Sequence, residues 1–304
     1  MSESASGSKT GYEWSLGDAP ILLPLAFEAR ELNAARVAFF LAEYSGSNVI
    51  ITHVKTPGED SAKKARVMDA IGKLADKLRV KFELDEIIVE SEPSLGDVAQ
   101  LLVKNAGRRQ CQLIVMSAHR EAFFTELFGR VSDRVVRISR TPVILIETPR
   151  DGMVIPDSPR RMLIPVLYDK FIPGPFIVAS ALTSTASSPD IEIIAAGIVE
   201  IPPTLPLEAA TTSSEMRDAE RSFSLMVSTA IKSLGKLFSP RILPVRDVGF
   251  DVAEYSKDEG IDMIILYSSG RSGYGKLLKK AEYEIVKKAP CICLVMFAAS
   301  GQGA

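Results

Sequence analysis

The chain has 304 residues, 46% hydrophobic, 24% charged and 7% aromatic, with 36 Lys and Arg against 38 Asp and Glu for a formal charge of −2. That length suits two ordinary domains or one large α/β domain, with enough core to fold without staples. The balanced charge argues against a phosphate-neutralising surface and hence against nucleic acid as a partner. The longest apolar runs, Ile21 to Phe27 and Met263 to Tyr267, are too short to cross a bilayer, so no membrane insertion is expected.

Residues 1–19 are Ser/Gly-rich, lack the apolar core of an export signal, and read as a disordered leader to a cytoplasmic protein. The first strand is expected at about 21–26 and the second at about 48–55, both continuous apolar runs of the kind a parallel sheet buries on both faces. Between them Ala34, Val37, Ala38, Leu41 and Ala42 mark a helix stripe. Val67, Ile71, Leu74 and Leu78 mark a second helix, followed by a strand at about 83–90. A third helix opens at Pro93-Ser94 and carries Leu95, Val98, Ala99, Leu102 and Ala106. A strand at 112–117, a helix at about 129–139 and a strand at 142–147 complete this half.

The order then recurs. Ile21-Leu22-Leu23-Pro24-Leu25 returns as Met162-Leu163-Ile164-Pro165-Val166, an offset of 165 − 24 = 141. Leu113 to Ser117 returns as Met263 to Tyr267, offset 266 − 116 = 150, and Thr141 to Leu145 as Ala289 to Cys293, offset 290 − 142 = 148. Three blocks in register imply a duplicated unit: 20–148 and 161–298, a linker over 149–160 rich in Pro, Asp and Arg, and a tail at 299–304. In the second unit Phe223, Met226, Val227, Ala230, Ile231 and Leu234 mark a helix, and the Pro-rich piece Ile201 to Thr212 is a long loop. Strands alternating with helices give right-handed crossovers and a parallel sheet covered on both faces. Two separate sheets are expected rather than one continuous mixed sheet. Ligands of such folds bind past the carboxyl ends of the strands where strand order reverses.

Cys111, Cys291 and Cys293 form neither an even framework nor a Cys-x-x-Cys pair and read as buried small hydrophobes in a reducing compartment. His53 and His119 lie 66 residues apart without zinc-binding spacing, so no metal is expected. His53 reads as a buried, hydrogen-bonded strand residue. No nucleophile elbow or other catalytic constellation is present, and no catalytic residue is assigned.

The richest loop is Ser268-Ser269-Gly270-Arg271-Ser272-Gly273-Tyr274-Gly275-Lys276-Leu277-Leu278-Lys279-Lys280, where small residues and a following helix N-terminus favour an anion. Its glycines match neither a dinucleotide fingerprint nor a P-loop. Asp262 to Leu278, the Ile-Leu-x-Pro openings and the closing Pro-hydrophobic strands together resemble the universal stress protein family, as does Gly129-Arg130-Val131-Ser132-Asp133-Arg134-Val135-Val136. The resemblance covers about 21–147 and 162–297. It implies α/β architecture: two tandem Rossmann-like (adenine nucleotide α-hydrolase-like) domains, each a five-stranded parallel sheet of order 3-2-1-4-5 with helices on both faces. It also implies pairing through the fifth strands, as a homodimer or an intramolecular pseudo-dimer.

Many family members bind ATP through G-x-x-G, nine residues, then G-[S/T], with an Asp ending strand one; this chain departs from that pattern. The equivalents are Ser117, Arg120, Gly129 and Arg130 in the first half and Tyr267, Gly270, Lys280 and Ala281 in the second, while Ala26 and Leu167 replace the Asp. Nucleotide or anion contacts are therefore carried over to Pro165, Asp169, Ser268, Gly270, Gly273, Lys279 and Lys280, and to Val54, His119, Arg120, Gly129 and Arg130. The cations Arg120, Arg130, Lys279 and Lys280 leave two readings open: phosphate pairing, or filling of the site. The leading expectation is a non-catalytic regulatory protein of the stress-response type, acting through partner or self association. The other is an ATP or adenine-nucleotide sensor using the second-half loop, with a transporter or regulatory protein as partner.

Overall fold

The continuous apolar runs become the centre of a sheet. The computed structural model describes residues 15–57, 61–91, 93–118, 130–149, 153–156, 159–167, 171–184, 191–204, 206, 212–236, 238–268 and 277–299. The first half holds β1 (Ile21–Pro24), α1 (Leu32–Ser45), β2 (Val49–Lys55), α2 (Ser61–Leu78), β3 (Phe82–Ile88), α3 (Leu95–Arg108), β4 (Leu113–Ala118), α4 (Arg130–Ile138) and β5 (Val143–Glu147). The second holds β6 (Arg161–Val166), α5 (Pro173–Leu182), β7 (Glu192–Glu200), α6 (Ser214–Leu234), β8 (Ser239–Val245), α7 (Val248–Asp258), β9 (Met263–Ser268), α8 (Lys280–Lys288) and β10 (Ile292–Phe297).

Strand order is β3-β2-β1-β4-β5-β10-β9-β6-β7-β8. Each half is thus the expected five-stranded parallel unit of order 3-2-1-4-5, and the α/β class holds. The two sheets are not separate. β5 and β10 pair antiparallel, with Leu145 opposite Val295 and Ile146 opposite Leu294, and weld them into one ten-stranded mixed sheet. An uncovered apolar fifth strand would present unpaired backbone groups to solvent, and the other half's fifth strand satisfies them. Of the two pairings expected, the chain adopts the intramolecular one, and each fifth strand has both neighbours in place. Because the seam is antiparallel while each half is parallel, the two sets of strand carboxyl ends open at opposite ends of the sheet.

Alternating strand residues feed two cores. Ile21, Leu23 and Ile51 pack under α1 and α2, and this core runs on through Phe176 of α5 to Val227 of α6. Leu22, Ile50 and Leu145 pack under α3 and α4, continuous with Leu266, Cys293 and Val286 beneath α7 and α8. α1 and α5 touch across the seam. Asn33, buried in α1, also pins the segment between the halves. Its amide donates to Met153 O at 2.8 Å, and its carbonyl accepts the Ile155 N–H at 2.8 Å. Gly249 lets α7 approach α8, since a Cβ there would meet the Glu284 backbone at 2.8 Å.

The strand starts are tied by side chains as well. Asp262 accepts the amides of Arg160 at 2.7 Å and Arg161 at 3.0 Å, joining β9 to β6, and Gln112 holds Gly17 in the same way. Strand one stops at Pro24 rather than near residue 26 because Phe27 takes φ 61° and turns the chain out of the ladder.

A shared core and a shared sheet predict one cooperative unfolding transition for both halves. In urea followed by circular dichroism, Leu294→Ala at the seam is expected to cost about 2–5 kcal/mol while keeping a single transition. Two resolved transitions in the parent protein would contradict this coupling.

Candidate functional site

Strand order reverses between β1 and β4, and a cavity of about 490 Å³ opens there, within the range of small-molecule sites. Its floor is Pro24 of β1, Leu25 and Ala26 just after it, Val54 of β2, and Met116 and Ser117 of β4. Its walls are Leu95, Val98 and Leu102 of α3 and Val131 of α4. Apolar side chains supply most of this surface.

The polar groups are mostly committed to the scaffold. Thr52 Oγ1 accepts the Asn105 amide at 2.9 Å, and Asn105 also reaches Asp85 at 3.2 Å. His53 is buried, with Nδ1 2.7 Å from Leu25 O and its ring 4.6 Å from that of Phe27. Phe27 has a left-handed φ that costs a bulky residue strain energy, and the amides on either side of it turn inward. Glu31, 5% exposed at the end of the 3-10 turn Ala29–Glu31, accepts both: Ala26 N at 2.9 Å and Glu28 N at 2.9 Å. This carboxylate fills the anion-binding nest that the loop would otherwise offer. Ser117 differs. It is 9% exposed, it lines the cavity, and among the described residues its hydroxyl has no hydrogen-bond partner.

The second half carries larger side chains at the equivalent positions. Tyr267 holds the next-to-last position of β9, as Ser117 does in β4, and Leu167 follows β6 where Ala26 follows β1. A cavity of only about 20 Å³ remains beside Tyr267 and Pro165. Glu282, 1% exposed at the third position of α8, accepts Ser268 Oγ at 2.7 Å and Lys279 N at 3.0 Å. It therefore caps the helix N-terminus that the sequence offered to phosphate.

Of the expected site residues, Val54 lines the first-half cavity and Pro165 the small second-half one. Ser268 is buried and bonded to Glu282; Lys279 and Lys280 are exposed around the α8 N-terminus. Arg130 begins α4. Asp169, Gly270, Gly273, His119, Arg120 and Gly129 lie outside the described residues, as does the side chain of Arg130. Among the described residues, the cavity of about 490 Å³ at a switch point is in the first half. Glu31 was not singled out in the sequence, although the Glu28-x-x-Glu31 spacing is a capping signal beside the expected ligand loop.

The thiols are inert by position. Burial pushes Cys111 up to about 11 and Cys291 up to about 12, while Cys293 lies within β10 in the core.

Residues 19–147 match the Universal stress protein family. Among solved structures, the fold is similar to a universal stress protein from Archaeoglobus fulgidus DSM 4304 at 15% identity and a TM-score of 0.57, covering 91% of this chain and 98% of that one. It is also similar to a protein of unknown function from Pseudomonas aeruginosa PAO1 at 14% identity and 0.56, covering 92% of each chain. The likeness spans both halves and is one of fold. No curated protein matches the chain in sequence. The described helices include none long and apolar enough to cross a membrane.

Two outcomes follow. Glu31→Ala strips the acceptor from two inward amides and is expected to destabilise the protein by about 1–3 kcal/mol in urea melts; a loss below about 0.5 kcal/mol would contradict the role given to Glu31. With a thiol reagent at pH 8, native protein is expected to react slowly at all three cysteines and fully only after unfolding. A fast native thiol would contradict their burial.

Proposed function

We propose that the chain is a non-catalytic regulatory protein of the universal stress type whose first-half cavity receives a small ligand, with adenine nucleosides and nucleotides the first class to test. The observation that carries this reading is the largely apolar cavity at the β1–β4 switch point. A binding role rather than a catalytic one is favoured because Thr52, His53 and Glu31 are each hydrogen-bonded into the scaffold instead of being arranged as nucleophile and base. Occupancy would be read by a protein partner at the α3 N-terminus, which borders the cavity. Leu95, exposed at that helix end, belongs to both the wall and the surface. The second half serves as an intramolecular partner, joined through β5 and β10.

Thermal-shift measurements with adenosine, AMP and ATP at millimolar concentration test this, since a ligand that binds only the folded state raises Tm. At least one is expected to raise Tm. Val54→Trp, which places an indole in the cavity, is expected to abolish the shift with circular dichroism unchanged, and no phosphate release from ATP is expected above background. Absence of any shift, or an equal shift in Val54→Trp, would overturn the proposal.

A further inference from the structure

On one face of the sheet α3 packs on α4 and α7 on α8, which places α4 and α8 on either side of the β5–β10 seam. Their inward sides are aliphatic: Val135 and Val136 of α4 share one core with Ile285 and Val286 of α8. Their outward sides carry a single sign of charge. Among the described side chains, the exposed ones on α4 and just after it are Arg134, Arg137 and Arg140. Those on α8 and its N-cap are Lys279, Lys280, Lys287 and Lys288. The acidic residues of the two helices, Asp133, Glu282 and Glu284, are buried or half-buried. We infer that this basic strip across the seam docks an acidic, Asp- and Glu-rich segment of a partner protein. None of these side chains lines the first-half cavity, so the surface stands whether or not a ligand binds there.

Elsewhere the chain balances its surface cations. Lys73 of α2 pairs with Asp69 at 2.7 Å, and Arg109 pairs with Glu83 of β3. Within the strip, Arg137 has Asp133 at 2.6 Å and Lys288 has Asp247 at 2.9 Å. Arg134, Arg140, Lys280 and Lys287 have no carboxylate partner among the described residues. Clustered like charges repel one another in the folded state, and an opposite charge from outside relieves that repulsion. The antiparallel seam runs α4 and α8 in opposite directions, so Arg137 and Arg140 lie toward the α8 end that carries Lys279 and Lys280. Each helix has 9 residues. At about 1.5 Å per residue that is roughly 13 Å, the reach of about four residues of extended peptide.

The flank of the strip decides the class of partner. α7, beside α8 on the same face, exposes Asp247 at its N-cap, Glu254 and Asp258. A broad, flat polyanion such as a lipid surface would press on these carboxylates as well, whereas a narrow acidic segment lying along the seam avoids them. The formal charge of −2 gives no long-range attraction toward nucleic acid.

Fluorescence anisotropy of a labelled deca-glutamate peptide, on the full chain with no ligand added, tests this. The peptide is expected to bind in about 20 mM salt and to weaken at least about fivefold in about 200 mM, and a neutral Gly-Ser peptide is expected not to bind. Arg134→Glu with Lys287→Glu is expected to weaken binding at least about tenfold with circular dichroism unchanged. Arg66→Glu with Lys81→Glu makes the same change in net charge at α2 and just beyond it, and is expected to stay within about twofold of the parent. Arg140→Ala with Lys280→Ala, a milder change expected to weaken binding about threefold, reads the same surface if charge reversal disturbs folding. No peptide binding at low salt, or equal losses in the two charge-reversed proteins, would overturn the inference. Tighter binding of a single-stranded oligonucleotide or of phosphatidylserine vesicles than of the peptide would overturn the choice of an acidic protein segment. Self-association at low salt that Arg134→Glu with Lys287→Glu abolishes would assign the strip to a second copy of the chain and overturn it as well.

Discussion

Everything in this molecule hangs on the antiparallel ladder between β5 and β10. Both strands are apolar on both faces, and each ends a parallel unit, so each leaves a row of backbone donors and acceptors that solvent alone would have to satisfy. Pairing them with one another removes the exposed edges and merges the two helix layers into cores that run the length of the sheet. The remaining edges are of a different kind. β3 carries Glu83, Asp85 and Glu86, bridged to Arg109, Arg108 and Lys64, and β8 carries Pro240 and Pro244. Charge and proline discourage further strand addition at both ends. The Lys64 partner also holds the Glu86 carboxyl below its ordinary value, the direction expected of a structural ion pair.

The antiparallel seam also separates the two switch points, so substitutions at one do not reach the other by contact. That separation is compatible with opposite outcomes from one template. In the first half Ala26 and Ser117 line the cavity; in the second the equivalent positions carry Leu167 and Tyr267. Glu31 and Glu282 show one electrostatic solution reached from different sequence positions, a buried carboxylate satisfied by amides where a ligand anion would otherwise sit. Such a carboxylate also fixes local geometry: Glu31 holds the chain around Phe27 in a left-handed conformation that a Phe would not adopt unaided.

The fold was largely legible in the residues because periodicity and repeats are local signals. The stripe Ala34, Val37, Ala38, Leu41 and Ala42 falls wholly on the buried side of α1, and Ser94 caps α3 as its position beside Pro93 implied. Pairing of the fifth strands came from the family resemblance alone, because Leu145 and Val295 are 150 residues apart and periodicity says nothing about such contacts. Of the candidate site, Val54 and Ser117 were singled out by their positions in the sequence, and both line the cavity from the carboxyl ends of β2 and β4. Glycine spacing drew attention to the second half, whereas Glu31 and Glu282 accept backbone amides beside the expected ligand loops. Those are tertiary facts, which a motif does not carry.

Hydrogen–deuterium exchange with and without saturating adenosine tests the central claim most directly, because it reports where a ligand is felt along the chain. The account predicts added protection at 24–31, 94–102 and 113–118, no change at 163–167 or 263–268, and the slowest exchange of all in β5 and β10. Protection confined to the second half's strand ends, or fast exchange along the β5–β10 ladder, would contradict it.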